Sequence, residues 1–203
     1  MKKLFLLLLT TFIISCSSDD SLNDPVLRLP PETQTGANTF GCIIDGKILL
    51  PRSGNTSQVN PLSGAILYGG YPDVYDYFEL KILDYKTPKS SSFLFHLHNI
   101  VANGIGTYQI DKSNGMRNID GMNNNYIHCN VFNEETNSYE QFLSYDNSGT
   151  YTITRISVTP DYTIISGTFN CNLKNINDSN DEISITDGRF DINSLTVFLK
   201  YFP

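Results

Sequence analysis

Between Gly149 and Ile192 the chain repeats one pattern three times, and that pattern leaves room for little except antiparallel sheet. It reads Ser-Gly-Thr-Tyr-Thr-Ile-Thr, then Ile-Ile-Ser-Gly-Thr-Phe-Asn-Cys, then Ile-Ser-Ile-Thr-Asp-Gly-Arg-Phe-Asp-Ile. Ile165, Gly167, Phe169, Cys171 and Leu173 alternate with Ser166, Thr168, Asn170 and Asn172, a period of two that puts one face in a core and the other in water. Thr159-Pro160-Asp161-Tyr162 supplies a turn between the first two runs, with proline suited to its second position. In the third run, Asp187-Gly188 has the composition of a type I′ turn. A two-residue hairpin there sets Thr186 against Arg189, Ile185 against Phe190, Ser184 against Asp191 and Ile183 against Ile192. That register sorts every apolar residue to one face, and a slip of one residue destroys the sorting.

The same reading extends through the chain. Asp45-Gly46 predicts an opening hairpin of Thr39–Ile44 with Lys47–Leu50. Further strands are expected at Ala65–Tyr68, Tyr75–Asp84, Ser92–Ile100, Gly104–Ile110, Tyr126–Phe132, Tyr139–Tyr145 and Leu195–Phe202, with Ser53–Ser63 and the Asn-rich Lys112–Asn125 as loops. Alanine is scarce, whereas Tyr and Phe number 12 each, which favours strands over helices. The predicted fold is all-β, an antiparallel β-sandwich, with a lipocalin-like β-barrel as the alternative.

The first residues carry an address. Met1-Lys2-Lys3, the apolar Leu4–Leu9 and the run to Cys16 have the build of a secretory signal and are too short for a comfortable membrane span of ~20 apolar residues. Ile13-Ile14-Ser15-Cys16 resembles a bacterial lipobox. The resemblance implies cleavage before Cys16 and acylation of that residue, a lipid anchor in the membrane. Ser17-Ser18-Asp19-Asp20 is similar to the export signal of surface lipoproteins in Bacteroidota, which implies an outer-membrane, cell-surface location; a periplasm-facing domain is the alternative. The expected division is a signal peptide over 1–15, a flexible acidic and polar tether over 16–35, and a single β-rich domain over 36–203. Removing the signal takes away two lysines and no acid, so the formal charge moves from -7 to -9. A net-acidic chain without a basic run argues against nucleic acid as a partner and against attraction to anionic lipid.

Cys42, Cys129 and Cys171 each fall on the apolar side of an alternating strand and read as small buried hydrophobes, with a Cys42–Cys171 bridge as the minority expectation. Candidate sites are few. Tyr68, Tyr71, Tyr75 and Tyr77 surround Gly69-Gly70 and Pro72-Asp73 and would present rings for stacking on a ligand, a glycan among the candidates. His96 and His98 share a strand face and would need a third ligand, His128 for instance, to hold a metal; the favoured reading is two polar residues on a wet face, with no metal site. Asn177–Glu182 is rich in oxygen ligands but lacks EF-hand spacing, so a turn is favoured over Ca²⁺, and no cofactor is assigned.

No catalytic residues are assigned. There is no Gly-x-Ser-x-Gly elbow, Gly104-Ile105-Gly106 lacks a third glycine, and the acids offer no means of choosing a pair.

Leu29-Pro30-Pro31-Glu32-Thr33-Gln34-Thr35-Gly36 with Thr39-Phe40-Gly41-Cys42 and Asp45-Gly46, and Ile165-Ser166-Gly167-Thr168-Phe169 with Ile185-Thr186-Asp187-Gly188-Arg189-Phe190-Asp191, resemble the two ends of a domain-of-unknown-function family of Bacteroidota lipoproteins. The middle, about 53–144, differs from that pattern, and Cys171 stands where an aromatic residue is expected. The resemblance implies an envelope location and a β-rich fold and brings no chemistry. The expected function is a non-enzymatic module that binds a ligand or protein partner. A carrier of a small apolar ligand and a glycan-acting hydrolase are the alternatives.

Overall fold

The computed structural model describes residues 28–55, 62–69 and 76–203. The signal segment, Cys16, Ser17–Asp20, Tyr71 and Tyr75 lie outside the described residues. Eleven strands follow in order: β1 (Thr39–Ile44), β2 (Lys47–Leu49), β3 (Ala65–Gly69), β4 (Tyr77–Leu83), β5 (Ser92–His98), β6 (Gly106–Ile110), β7 (Tyr126–Asn133), β8 (Ser138–Leu143), β9 (Gly149–Val158), β10 (Thr163–Asn175) and β11 (Glu182–Asn193). One four-residue helix, α1 (Ile100–Asn103), follows β5.

All the strands belong to one antiparallel sheet, ordered β2-β1-β11-β10-β8-β7-β5-β4-β3, with β9 beside β10 and β6 beside β9. The long β10 makes the sheet fold over. Its residues 163–171 pair with β9, whereas Lys174 and Asn175 pair with Leu143 and Phe142 of β8. One wall therefore runs through β2-β1-β11-β10-β9-β6, and the other through β8-β7-β5-β4-β3. An isolated bridge between Arg52 and Asp84 ties the far edges, with the Arg52 guanidinium donating to both carboxylate oxygens of Asp84 at 2.9 and 2.6 Å.

The result is a curled half-barrel whose walls pack on each other as a sandwich does. Phe93 and Phe95 of one wall meet the other: Phe93 to Phe40 at 5.2 Å, Phe93 to Phe169 at 5.5 Å, Phe95 to Phe169 at 5.2 Å and Phe95 to Tyr151 at 5.3 Å. Each such ring, fully buried, contributes about 1.5–3 kcal/mol. These rings occupy the interior where a lipocalin-type ligand would sit.

Several expectations need correction. The Asp187-Gly188 hairpin does not form. Glu182–Asn193 is one strand, hydrogen-bonded on one side to β10 and on the other to β1. Phe169 pairs with Gly188 and Cys171 with Ile185, so β11 carries one extra residue there, a β-bulge. A two-residue turn and a one-residue bulge shift the inward phase alike: Ile183 and Ile185 before it, Phe190 and Ile192 after it, all buried. Periodicity alone therefore fits both.

The last expected strand is instead a short 3₁₀ turn, Val197–Leu199, within an irregular segment. Residues 28–35, expected as part of a flexible tether, include two that bond to β11. Thr33, Thr35, Gly36 and Ala37 all donate to the Asp191 carboxylate, at 2.8 to 3.0 Å for the hydroxyl of Thr33 and the N–H groups of the other three. Ser166 Oγ adds a fifth donor at 2.7 Å. Asp191, expected on a polar outward face, is fully buried.

Candidate functional site

The outer face of the second wall carries a polar row that crosses four strands. Tyr68 on β3 stands opposite Glu79 on β4, Glu79 opposite His96 on β5, and His96 opposite Tyr126 on β7. Period two puts Phe78, Leu80, Phe93, Phe95 and Ile127 on the inner face, which obliges these neighbours to point outward. Outward does not mean wet here. The loop Lys112–Asn125 folds over the row and seals it, so Glu79 is 0 % exposed and His96 2 %. The expectation of a solvated His96 is thereby corrected.

The cover is fastened at named points. Glu79 Oε2 lies 3.0 Å from His96 Nδ1 and accepts the Asn118 N–H at 2.8 Å. Tyr126 Oη donates to the Met116 carbonyl at 3.1 Å, and Ser113 Oγ lies 3.1 Å from His128 Nδ1. The rings form a column: Tyr77 on His96 at 5.1 Å, His96 on Tyr126 at 4.5 Å and Tyr126 on His128 at 5.9 Å, all near parallel. Tyr126 thus stands between His96 and His128 and keeps them from closing on one ion. Among the described residues no group of three or more His, Cys, Asp or Glu is gathered for a metal. In the Asn177–Glu182 turn, Asp178 and Asp181 carboxylate oxygens accept from Asn180 and Asn175.

Electrostatics follow the sealing. Burial pulls His128 from 6.5 down to about 4; Glu79 pushes it up, and His96 and Lys81 add to the lowering. His128 is therefore neutral at pH 7. Burial, then Glu79 and Tyr77, push the Tyr126 hydroxyl well up. Glu79 Oε1 and Asn118 Oδ1 are buried without a hydrogen-bond partner in the structure. The Glu79–His96 pair has the residue types of an acid–base dyad, but the loop closes it to any substrate.

Beside the row, where the loop edge meets β4, β5, β7 and β8, an outer-face pocket of about 250 Å³ opens. Lys81, Arg117, His128, Ser92, Asn130 and Gln141 line it, and among the described residues no Asp or Glu does.

Of the four tyrosines expected to form a binding patch, Tyr68 and Tyr77 lie on this face, both partly buried. Tyr77 has one ring face against His96. Sequence reasoning missed Glu79, Tyr126 and Arg117. The polar residue Glu79 within the alternating Phe78, Leu80 and Ile82 was a signal, but no spacing linked it to Asn118.

A second concavity borders the turn between β4 and β5. This groove of about 840 Å³ is lined by Arg28, Arg52, Lys86 and Lys200 over Phe40, Leu50 and Phe202.

Fold and site together define an all-β half-barrel with a loop-covered polar outer face. The chain gives no match to protein-family models, to curated proteins or to solved structures.

Proposed function

We propose that the protein is a lipid-anchored binding module of the bacterial outer membrane, displayed at the cell surface, and that its outer-face pocket takes an acidic carbohydrate. The observation that carries this reading is the donor set of the pocket. In a chain with 21 acids against 14 bases, Lys81 and Arg117 meet Ser92, Asn130 and Gln141, and no carboxylate joins them among the described residues. Guanidinium and ammonium groups pair with carboxylate or sulfate, while amides and a hydroxyl suit sugar hydroxyls. A binding role is favoured over catalysis because the buried Glu79–His96 pair is sealed. It is favoured over carriage of an apolar ligand because aromatic rings fill the interior.

Glycan-array screening followed by titration calorimetry tests the ligand. Uronate- or sulfate-bearing oligosaccharides are expected to bind, their neutral counterparts to fail, and Arg117→Ala or Lys81→Ala each to weaken binding about tenfold, or about 1.4 kcal/mol. Equal binding of neutral and acidic glycans, or none of either, refutes the assignment. Protease treatment of intact cells, with lysed cells as control, tests display: digestion before lysis supports it, and protection until lysis favours a periplasm-facing domain.

A further inference from the structure

We propose that the surface formed by Leu195–Tyr201 is a membrane-docking face that lays the domain on the bilayer to which it is tethered; this rests on the reading that Cys16 bears the lipid anchor. The 3₁₀ turn there is nailed down by Val197, which is 1 % exposed, while its neighbours point out: Phe198 is 62 % exposed, Leu199 73 % and Tyr201 55 %. Large apolar side chains exposed side by side mark an interaction surface. Here they interleave with cations. Lys200 Nζ donates to the Ala37 and Asn38 carbonyls at 2.8 Å, and Lys86 Nζ lies 5.4 Å from the Tyr201 ring centroid. Lys86, Lys200 and Arg28 share the groove, and among the described residues no Asp or Glu lines it. Arg52, also in that groove, is committed to Asp84.

Rings and leucine at the level of the head groups, with lysine and arginine stems reaching phosphates, is the chemistry of a lipid–water interface. The occupant is argued from position as well as charge. Arg28, where the described chain begins, lines the same groove. The twelve residues from Cys16 to Arg28 span at most about 40 Å. A face that near the bilayer meets lipid at high effective concentration, so weak intrinsic affinity is enough.

The chain contains no tryptophan, which gives a clean probe. Full-length acylated Phe198→Trp protein is reconstituted into phosphatidylethanolamine–phosphatidylglycerol vesicles containing brominated lipid, and the acyl chains are confirmed by intact mass. The expected result is a blue-shifted indole quenched by more than half. Tyr139→Trp, at a site 54 % exposed on β8, should stay in water, and adding Leu199→Ser to the Phe198→Trp chain should lower the quenching. An indole at 198 that stays in water on acylated protein, or is quenched no more than at 139, overturns docking and leaves the anchor standing. A mass without acyl chains overturns the anchor alone. The unacylated chain at saturating vesicles then decides docking by the same quenching, which supports it if present and overturns it if absent.

Discussion

Asp191 shows how one side chain organises distant backbone. Burial by itself would raise its carboxyl, but hydrogen bonds from Ala37, Ser166, Thr33 and Gly36 outweigh that and hold it at about 2, below the ordinary 3.8. A carboxyl lowered on folding adds stability that is complete above pH 3.8 and lost as pH falls through about 2. Asp191→Asn should cost about 2–4 kcal/mol in urea unfolding near neutral pH, because an amide N–H would face donors. The variant should also lose the part of the acid dependence between pH 3.8 and 2.

The two Asp-Gly pairs make a second point at this scale. Asp45 and Gly46 have φ of 45° and 78°, as a type I′ turn requires. At the second pair only Asp187 is left-handed, at φ 53°, with its N–H donating to Asn170 Oδ1 at 3.0 Å. Gly188 is glycine for space: a Cβ there would lie 2.5 Å from the Phe169 ring. Gly188→Ala should therefore destabilise by about 1–3 kcal/mol through overpacking, whereas Gly46→Ala should act only through its backbone; parallel denaturant melts and a structure of each variant would separate the two causes.

The element that matters most for the site is the loop Lys112–Asn125. Its own composition predicts only an irregular connection, yet it is held shut by bonds to Glu79, His128 and Ser144. Glu79→Ala removes the acceptor of the Asn118 N–H and the partner of His96. The expected outcome is a loss of about 2–4 kcal/mol and new tryptic cleavage after Lys112 or Arg117, read by mass spectrometry under native conditions. Unchanged protection would mean that the remaining contacts suffice to hold the loop.

His128 gives the same element a pH signature. Its folded value near 4 lies below the unfolded 6.5, so between these values the unfolded chain binds more protons. Stability is then complete above about pH 6.5 and declines as pH falls towards 4. His128→Gln should flatten that window in pH-dependent melts while leaving the lower, Asp191-linked step in place.

For the whole molecule, the half-barrel puts its three described cysteines, Cys42, Cys129 and Cys171, in the core as free thiols. Burial raises all three, so a thiol reagent should find none of them in the native protein and react only as the domain unfolds globally. Reaction of a thiol without loss of structure would show that this part of the core opens locally.

Most strand positions, though not Leu195–Phe202, together with the Asp45-Gly46 hairpin and the inward set of β10, were legible in the sequence, because side-chain alternation and turn chemistry are local properties. The all-β antiparallel class follows from them, and so does the burial of the cysteines. What tertiary structure decided depends on residues far apart in the chain. A bulge and a hairpin at Asp187-Gly188 produce the same alternation, and only the neighbours β1 and β10 select the bulge. Glu79 is joined to Asn118, Asp191 to Thr33, and Arg28 to the groove of Lys86 and Lys200, across separations that no local pattern encodes. The sequence by itself determined which faces are apolar. Through-space packing decided which polar residues are sealed beneath a loop and which cations are gathered against an acidic whole, because burial and charge density are set by what lies nearby in space.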